Sequence, residues 1–303
     1  MGMEFRGGKF QLLERSSGQP VRLEIHTPPD GLEIAHSVSL GGRVFQCSVL
    51  CRSDTPLIHF RIIGRAAEGH TVSVRFRTGL QAERLVMENP GGIASRPVTK
   101  IYDPTFWPVQ RFCHLEDCES GRGVAVLMAL PGAVAYHPED RSVEMVALRN
   151  ATQEKAYGFM PVLACPAKGH EKKDFTFQFA LWFTESGGWQ ENRLPQLART
   201  WHSPWGAISD SALRQRTSQE IILSSAEVWL EALKPAWRGE GIIARLYTLC
   251  IPEMPVVFGL RGRKIRKAYE CDARERDLRP LEVRDGMVHL ELRRSITSLR
   301  LLV

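Results

Sequence analysis

The side chains able to do chemistry are scattered along the 303-residue chain, and few stand at the spacing a reaction needs. Nine histidines occur singly, with no Cys-x-x-Cys and no His-Glu-x-x-His. Cys113-His114 with Cys118 is the one local group of soft ligands. Its spacing matches no zinc pattern, so it reads as a strand end entering an acidic turn. Glu116-Asp117, Glu139-Asp140 and Glu275 with Asp277 are carboxylate pairs of the sort that acid–base hydrolysis uses. Each lies in a polar stretch where solvated surface charge is the ordinary role. Gly239-Glu240-Gly241 and Gly259-Leu260-Arg261-Gly262-Arg263 do not sit between a strand and a long helix, so they read as tight turns rather than phosphate cradles. No catalytic residue, metal ligand or cofactor is assigned on these grounds.

The informative segment is Tyr102–Leu130. Trp107-Pro108-Val109-Gln110-Arg111-Phe112 sets an indole, an amide and a guanidinium beside a proline-stiffened strand start. An aromatic face with planar donors suits the C–H face and neighbouring hydroxyls of a sugar. Trp107, Gln110 and Arg111, with Arg149 farther along, are therefore candidate carbohydrate contacts. The alternative is structural: Trp107 and Phe112 belong to the core, and the two arginines are ion-pair partners that knit neighbouring strands.

The elements that must position these residues are strands. Asp174 to Thr184 alternates Phe175, Phe177, Phe179, Leu181 and Phe183 with Thr176, Gln178, Ala180, Trp182 and Thr184, a half-buried strand whose mixed second face invites another layer. His70–Arg77 turns Val72, Val74 and Phe76 inward. Further strands are expected at 21–26, 43–51, 56–63, 84–88, 123–128 and 143–148, separated by turns such as Asp30-Gly31, Gly41-Gly42 and Pro131-Gly132. A helical pattern is confined to Arg193–Trp201, where Leu194, Leu197, Ala198 and Trp201 recur at i, i+3, i+4 and i+7 before Pro204. Ser209–Gln219 reads as a linker. A second block of strands follows, with Asp285-Gly286 as its hairpin signal. The chain thus predicts an all-β protein of about 14 short strands, a large unit over 1–208 and a small one over 215–303.

Composition narrows the function classes. The net charge of +6 and pI near 9.0 come without a long run of like charges, which argues against a nucleic-acid partner. No stretch approaches the ~20 apolar residues of a membrane span, and the N-terminus lacks a signal-peptide core, so a cytoplasmic protein without a membrane partner is expected. Seven cysteines, an odd number in a chain of this size, predict free thiols in a reducing compartment. Cys47 and Cys51 stand about 13 Å apart along a strand, beyond disulfide reach.

Several of these segments resemble the C-terminal β-region of glycoside hydrolase family 38, the α-mannosidases. They are, in order, Glu88–Pro97, Pro108–Phe112, Gly121–Leu127, Val146–Arg149, Val228–Pro235, Ile243–Tyr247, Ala268–Asp272 and Ser295–Leu301. The resemblance covers most of residues 70–303. It implies a galactose-mutarotase-like β supersandwich followed by a small C-terminal β-sandwich. The family's enzymes carry zinc and their catalytic carboxylates in domains preceding this region. No His-x-Asp pair occurs here, so none of those residues carries over, and zinc is expected only if a separate catalytic domain is present.

Three functions follow. The chain is a non-catalytic carbohydrate-binding or accessory β-domain with mannose-containing glycans as partners. Alternatively it is part of a split or truncated α-mannosidase whose catalytic partner is another chain. Thirdly, it is a mutarotase-like sugar enzyme, which needs a histidine and a carboxylate converging on one concave sheet.

Overall fold

Alternation of apolar and polar side chains, punctuated by turn residues, makes nearly all of the regular structure among the described residues antiparallel sheet. A computed structural model describes residues 12–16, 22–98, 106–150, 153–154, 163–164, 174–202, 221–249 and 254–303. The expected linker at 209–219 lies outside them. Two compact units emerge, Met1–Asn89 with Ala94–Ser203, and Pro90–Ile93 with Pro204–Val303.

The first unit contains β1 (Arg22–His26), β2 (Gly31–Leu40), β3 (Arg43–Arg52), β4 (Ile58–Gly64), β5 (Thr71–Arg77), β6 (Arg84–Asn89), β7 (Gly92–Pro97) from Ala94 onward, β8 (Trp107–Val109), β9 (Phe112–Glu116), β10 (Gly123–Met128), β11 (Gly132–His137), β12 (Ser142–Arg149), the short pair β13 (Gln153–Glu154) and β14 (Leu163–Ala164), β15 (Phe175–Thr184) and helix α1 (Leu194–His202). A nine-stranded sheet runs in the order β1-β2-β3-β4-β15-β10-β9-β6-β7, and a four-stranded sheet in the order β5-β12-β11-β8. They enclose one core: Leu85, Met87, Cys113, Leu115, Val124, Val126, Phe177 and Phe179 from the wide sheet meet Val109, Val134, Val143 and Met145 from the narrow one. This is an all-β layered fold, as the sequence predicts.

β15 shows how the pattern was used. Phe177, Phe179 and Leu181 enter that core, with Phe179 stacked on Phe60 at 4.6 Å between ring centroids. Phe183, on the same face, is exposed. The opposite face gains its second layer from α1, which buries Leu194 and Ala198 against β9 and β10. All six residues of β10 are therefore buried: Val124, Val126 and Met128 face the core, and Ala125 and Leu127 face the helix side.

The second unit is built from β16 (Ile221–Leu223), β17 (Val228–Pro235), β18 (Ile242–Thr248), β19 (Met254–Leu260), β20 (Lys267–Cys271), β21 (Asp277–Arg284), β22 (Met287–Leu292) and β23 (Ile296–Leu302). They form one sheet, β16-β19-β22-β21-β20-β23-β18-β17. β21 pairs with β20 through Asp277–Leu281 and with β22 through Glu282–Arg284. The sheet folds there, and side chains from both halves, among them Leu246, Leu299, Phe258 and Val288, share one core. The expected hairpin is present: Asp285 and Gly286 have φ of 52° and 77°, the left-handed pair that a two-residue turn needs.

Candidate functional site

Trp107, Gln110 and Arg111 come from one short run, β8 and its link to β9, while β11 separates β8 from β12, which ends in the exposed Arg149. The short β8 is held by register, Trp107 opposite Val134 and Val109 opposite Gly132. Beyond it, the Gln110 amide donates to the Glu88 carbonyl at 2.9 Å, and the Met128 amide donates to the Arg111 carbonyl at 2.8 Å. The Arg111 guanidinium is committed. Its Nε lies 2.9 and 3.0 Å from the two Glu88 carboxylate oxygens, and Nη2 lies 2.5 Å from Oε1. Glu88 has no exposed side-chain surface and Arg111 only 18 %. Of the two roles open to Arg111 in the sequence, the geometry displays the strand-knitting ion pair. Trp107 is half-buried against the core, and the Arg96 guanidinium lies 4.9 Å from its ring centroid.

One or both members of each carboxylate pair are likewise engaged. Asp117 caps the β9–β10 turn, accepting from the amides of Gln81 at 2.6 Å and Ser120 at 2.9 Å, which hold its carboxyl down at about 2. Asp140 accepts from Ser142 Oγ at 2.5 Å and faces Arg75 at 2.8 Å. Buried Glu275 pairs with Lys234 and takes the Trp237 amide at 2.6 Å, while Asp277 binds Arg300 at 2.8 Å. On the outer face of the narrow sheet, His137 lies 2.7 Å from Glu144 through Nε2 and 3.3 Å from Glu139 through Nδ1. Both ring nitrogens are occupied. His137 and Ser73 hydrogen-bond Glu144 and lower its pKa, away from the value a base working near neutral pH requires.

A groove of about 320 Å³ opens on the wide sheet, on the face shared with α1. Phe45, Cys47 and Ile62 of β3 and β4 point to the core side, so Gln46, Ser48, Arg61 and Ile63 point the other way. Register places Ala35 opposite Ser48, Ser37 opposite Gln46, and Ser48 opposite Arg61. Small residues thus make the floor. Long ones make the walls: Arg22 and Glu24 from β1, Glu33 from β2, Arg61 from β4. The groove begins where α1 stops, since the Trp201 indole donates to Nδ1 of His59, two residues before Arg61, at 3.1 Å. Arg22 and Glu24 pair with each other, but among the described residues Glu33 and Arg61 have no ion-pair partner. The sequence reading missed this place because it missed β2. The signal was present: Leu32, Ile34, Val38 and Leu40 alternate with Glu33, Ala35, Ser37 and Ser39.

Two solved structures share this architecture. An α-mannosidase from Enterococcus faecalis V583 superposes with a TM-score of 0.69 at 14% identity, and a glycosyl hydrolase family 38 protein from Enterococcus faecalis with 0.67 at 15%. Each covers 92% of this chain. The chain has the fold of about a third of a family 38 protein. It spans 35% and 36% of the lengths of those two. No protein-family profile and no curated protein sequence matches it.

The zinc that the family 38 resemblance implies for a catalytic domain does not fit the residues described here. Cys113 points into the core and His114 to the opposite face of β9, while Cys118 is exposed in the following turn. Among the described residues no group of three His, Cys, Asp or Glu side chains is placed to hold a metal ion. Among them, too, no helix is long and apolar enough to cross a membrane.

Proposed function

We propose that the chain is a non-catalytic β-region related to family 38 α-mannosidases, binding mannose-containing glycans or serving as an accessory to a catalytic unit. The carrying observation is the asymmetry of the superposition, in which nearly all of this chain matches about a third of each Enterococcus faecalis protein. The engaged state of Asp117, Asp140, Glu275 and Asp277 supports the non-catalytic reading, since a general acid or base must be free to meet substrate. The five described cysteines, all unpaired, support work in a reducing compartment such as the cytoplasm.

The test is an assay of the full chain on an aryl α-mannoside with added zinc, alongside binding measurements on mannose-containing oligosaccharides. No turnover with measurable binding is the expected result. Turnover that survives stringent purification overturns the proposal, and activity arising only on mixing with a second chain identifies a split enzyme instead.

A further inference from the structure

The groove over β1 to β4 is a built feature, because its depth comes from an order of residue sizes that register enforces. Ala35, Ser37 and Ser48 lie side by side beneath Glu33, Gln46 and Arg61. Glu33 and Arg61 stand two strands and two residues apart, which puts their Cα atoms roughly 12 Å from one another. Two long side chains can close that span around a single sugar ring. Neither has an ion-pair or hydrogen-bond partner for its side chain among the described residues, and the same holds for the side chains of Gln46 and Ser48. A free carboxylate, guanidinium, amide and hydroxyl therefore share one concavity.

The charges select the ligand class. Arg22 and Arg61 balance Glu24 and Glu33, so the groove is formally neutral and favours neither an anion nor a cation. What matches it is a neutral molecule that both donates and accepts at several points. A guanidinium brackets neighbouring hydroxyl oxygens, and a carboxylate accepts from hydroxyl protons. Ala35 and Ile63 supply apolar contact for a C–H face. The volume sits at the lower end of the ~300–1,000 Å³ of small-molecule sites.

We propose that this groove is a saccharide-binding site in which Glu33 and Arg61 grip the vicinal hydroxyls of one neutral sugar unit over the Ala35–Ser48 floor. This rests on the carbohydrate-binding reading above and gives it a place distinct from Trp107 and Arg149. The site has no aromatic platform among its lining residues, so binding is weak and hydrogen-bond dependent.

Titration calorimetry of the full chain with methyl α-mannoside and α-linked mannobiose tests the assignment, with inorganic phosphate as competitor. Arg61→Ala and Glu33→Ala should each lower affinity at least tenfold with unchanged melting temperature, and Arg61→Lys should recover only part of the loss. If the wild type binds the sugars and both alanine variants bind equally well, the groove assignment falls while the carbohydrate-binding reading stands. If phosphate displaces the sugar competitively, the groove is an anion site and the assignment falls. Should the wild type bind neither sugar, both readings fall together.

Discussion

Arg111 and Glu88 form a two-pronged ion pair that ties the β8–β9 link to β6, with the carboxylate wholly enclosed. Glu88 follows Met87, a core residue, and so projects on the opposite side of β6. It has no water to fall back on. Removing the guanidinium leaves a buried charge without a partner, and Arg111→Ala should cost about 3–5 kcal/mol. Arg111→Lys, which cannot reproduce two parallel bonds, should fall between. Urea unfolding followed by tryptophan fluorescence measures both. A loss under 1 kcal/mol for Arg111→Ala would show that the pair does not carry this junction.

His114 gives the fold a pH dependence. It is buried on the β9 face turned from the core, its Nε2 has no partner, and burial pushes the imidazole down to about 4. The unfolded chain, with an ordinary value near 6.5, binds the proton first. Stability conferred by the neutral ring is complete above about pH 6.5 and declines as pH falls towards 4, by up to about 1.4 kcal/mol per pH unit. Below 4 the term is constant. Denaturant midpoints from pH 7 to 4.5 should fall in the wild type and fall less steeply in His114→Asn. His59, also lowered by burial, adds a slope of the same sign common to both proteins.

Gly123 is required for space. A methyl group there would stand 2.5 Å from His114 Nε2, 2.5 Å from Thr184 Oγ1 and 2.9 Å from the Leu115 carbonyl oxygen. Sheet pairing on both sides, to Glu116 and Thr184, prevents the strand from stepping aside. Gly123→Ala should lose about 1–3 kcal/mol and several degrees of melting temperature. Gly92→Ala, whose added carbon meets no atom within 4 Å, should stay within about 0.5 kcal/mol. A thermal scan of the pair separates steric cost from the general effect of replacing glycine in a strand.

What the sequence revealed and what it concealed follow the range of the interactions involved. Asp285-Gly286 dictates its hairpin from two residues, and Phe177, Phe179 and Leu181 announce a buried face by their spacing alone. The strand at 31–40 was missed because His36 stands in the apolar half of its alternation and breaks it between Ile34 and Val38. β11 was hidden by its short length and by the turns at its ends. The partner of Arg111 was beyond reach for a different reason. Glu88 lies 23 residues upstream, and only the pairing of β6 with β9 brings the two together. The groove required three strand registers at once, none of which a single sequence prints.

The thiols should divide into classes. Cys51 and Cys118 are exposed, Cys47 is half-covered, and Cys113 and Cys271 are buried. Burial pushes the Cys113 thiol up to about 12, so almost none of the reactive thiolate is present at neutral pH. Iodoacetamide treatment of the native chain followed by peptide mapping should modify Cys51 and Cys118 first, Cys47 more slowly, and Cys113 and Cys271 only after denaturant is added. Rapid native labelling of Cys113 would contradict the packing of β9.

The hand-over made by β21 has a consequence for the protein's conduct in a crowded solution. Two separate four-stranded sheets would present four open margins, each a row of unsatisfied amides and carbonyls inviting a strand from another molecule. Because β21 belongs to both halves, the second unit has two among the described residues, β16 and β17. Both are poor templates. β16 is three residues long, and β17 is interrupted between Leu230 and Ala232 and ends on Pro235, which has no amide proton to offer. One strand shared between layers thus guards this unit against intermolecular sheet growth and aggregation.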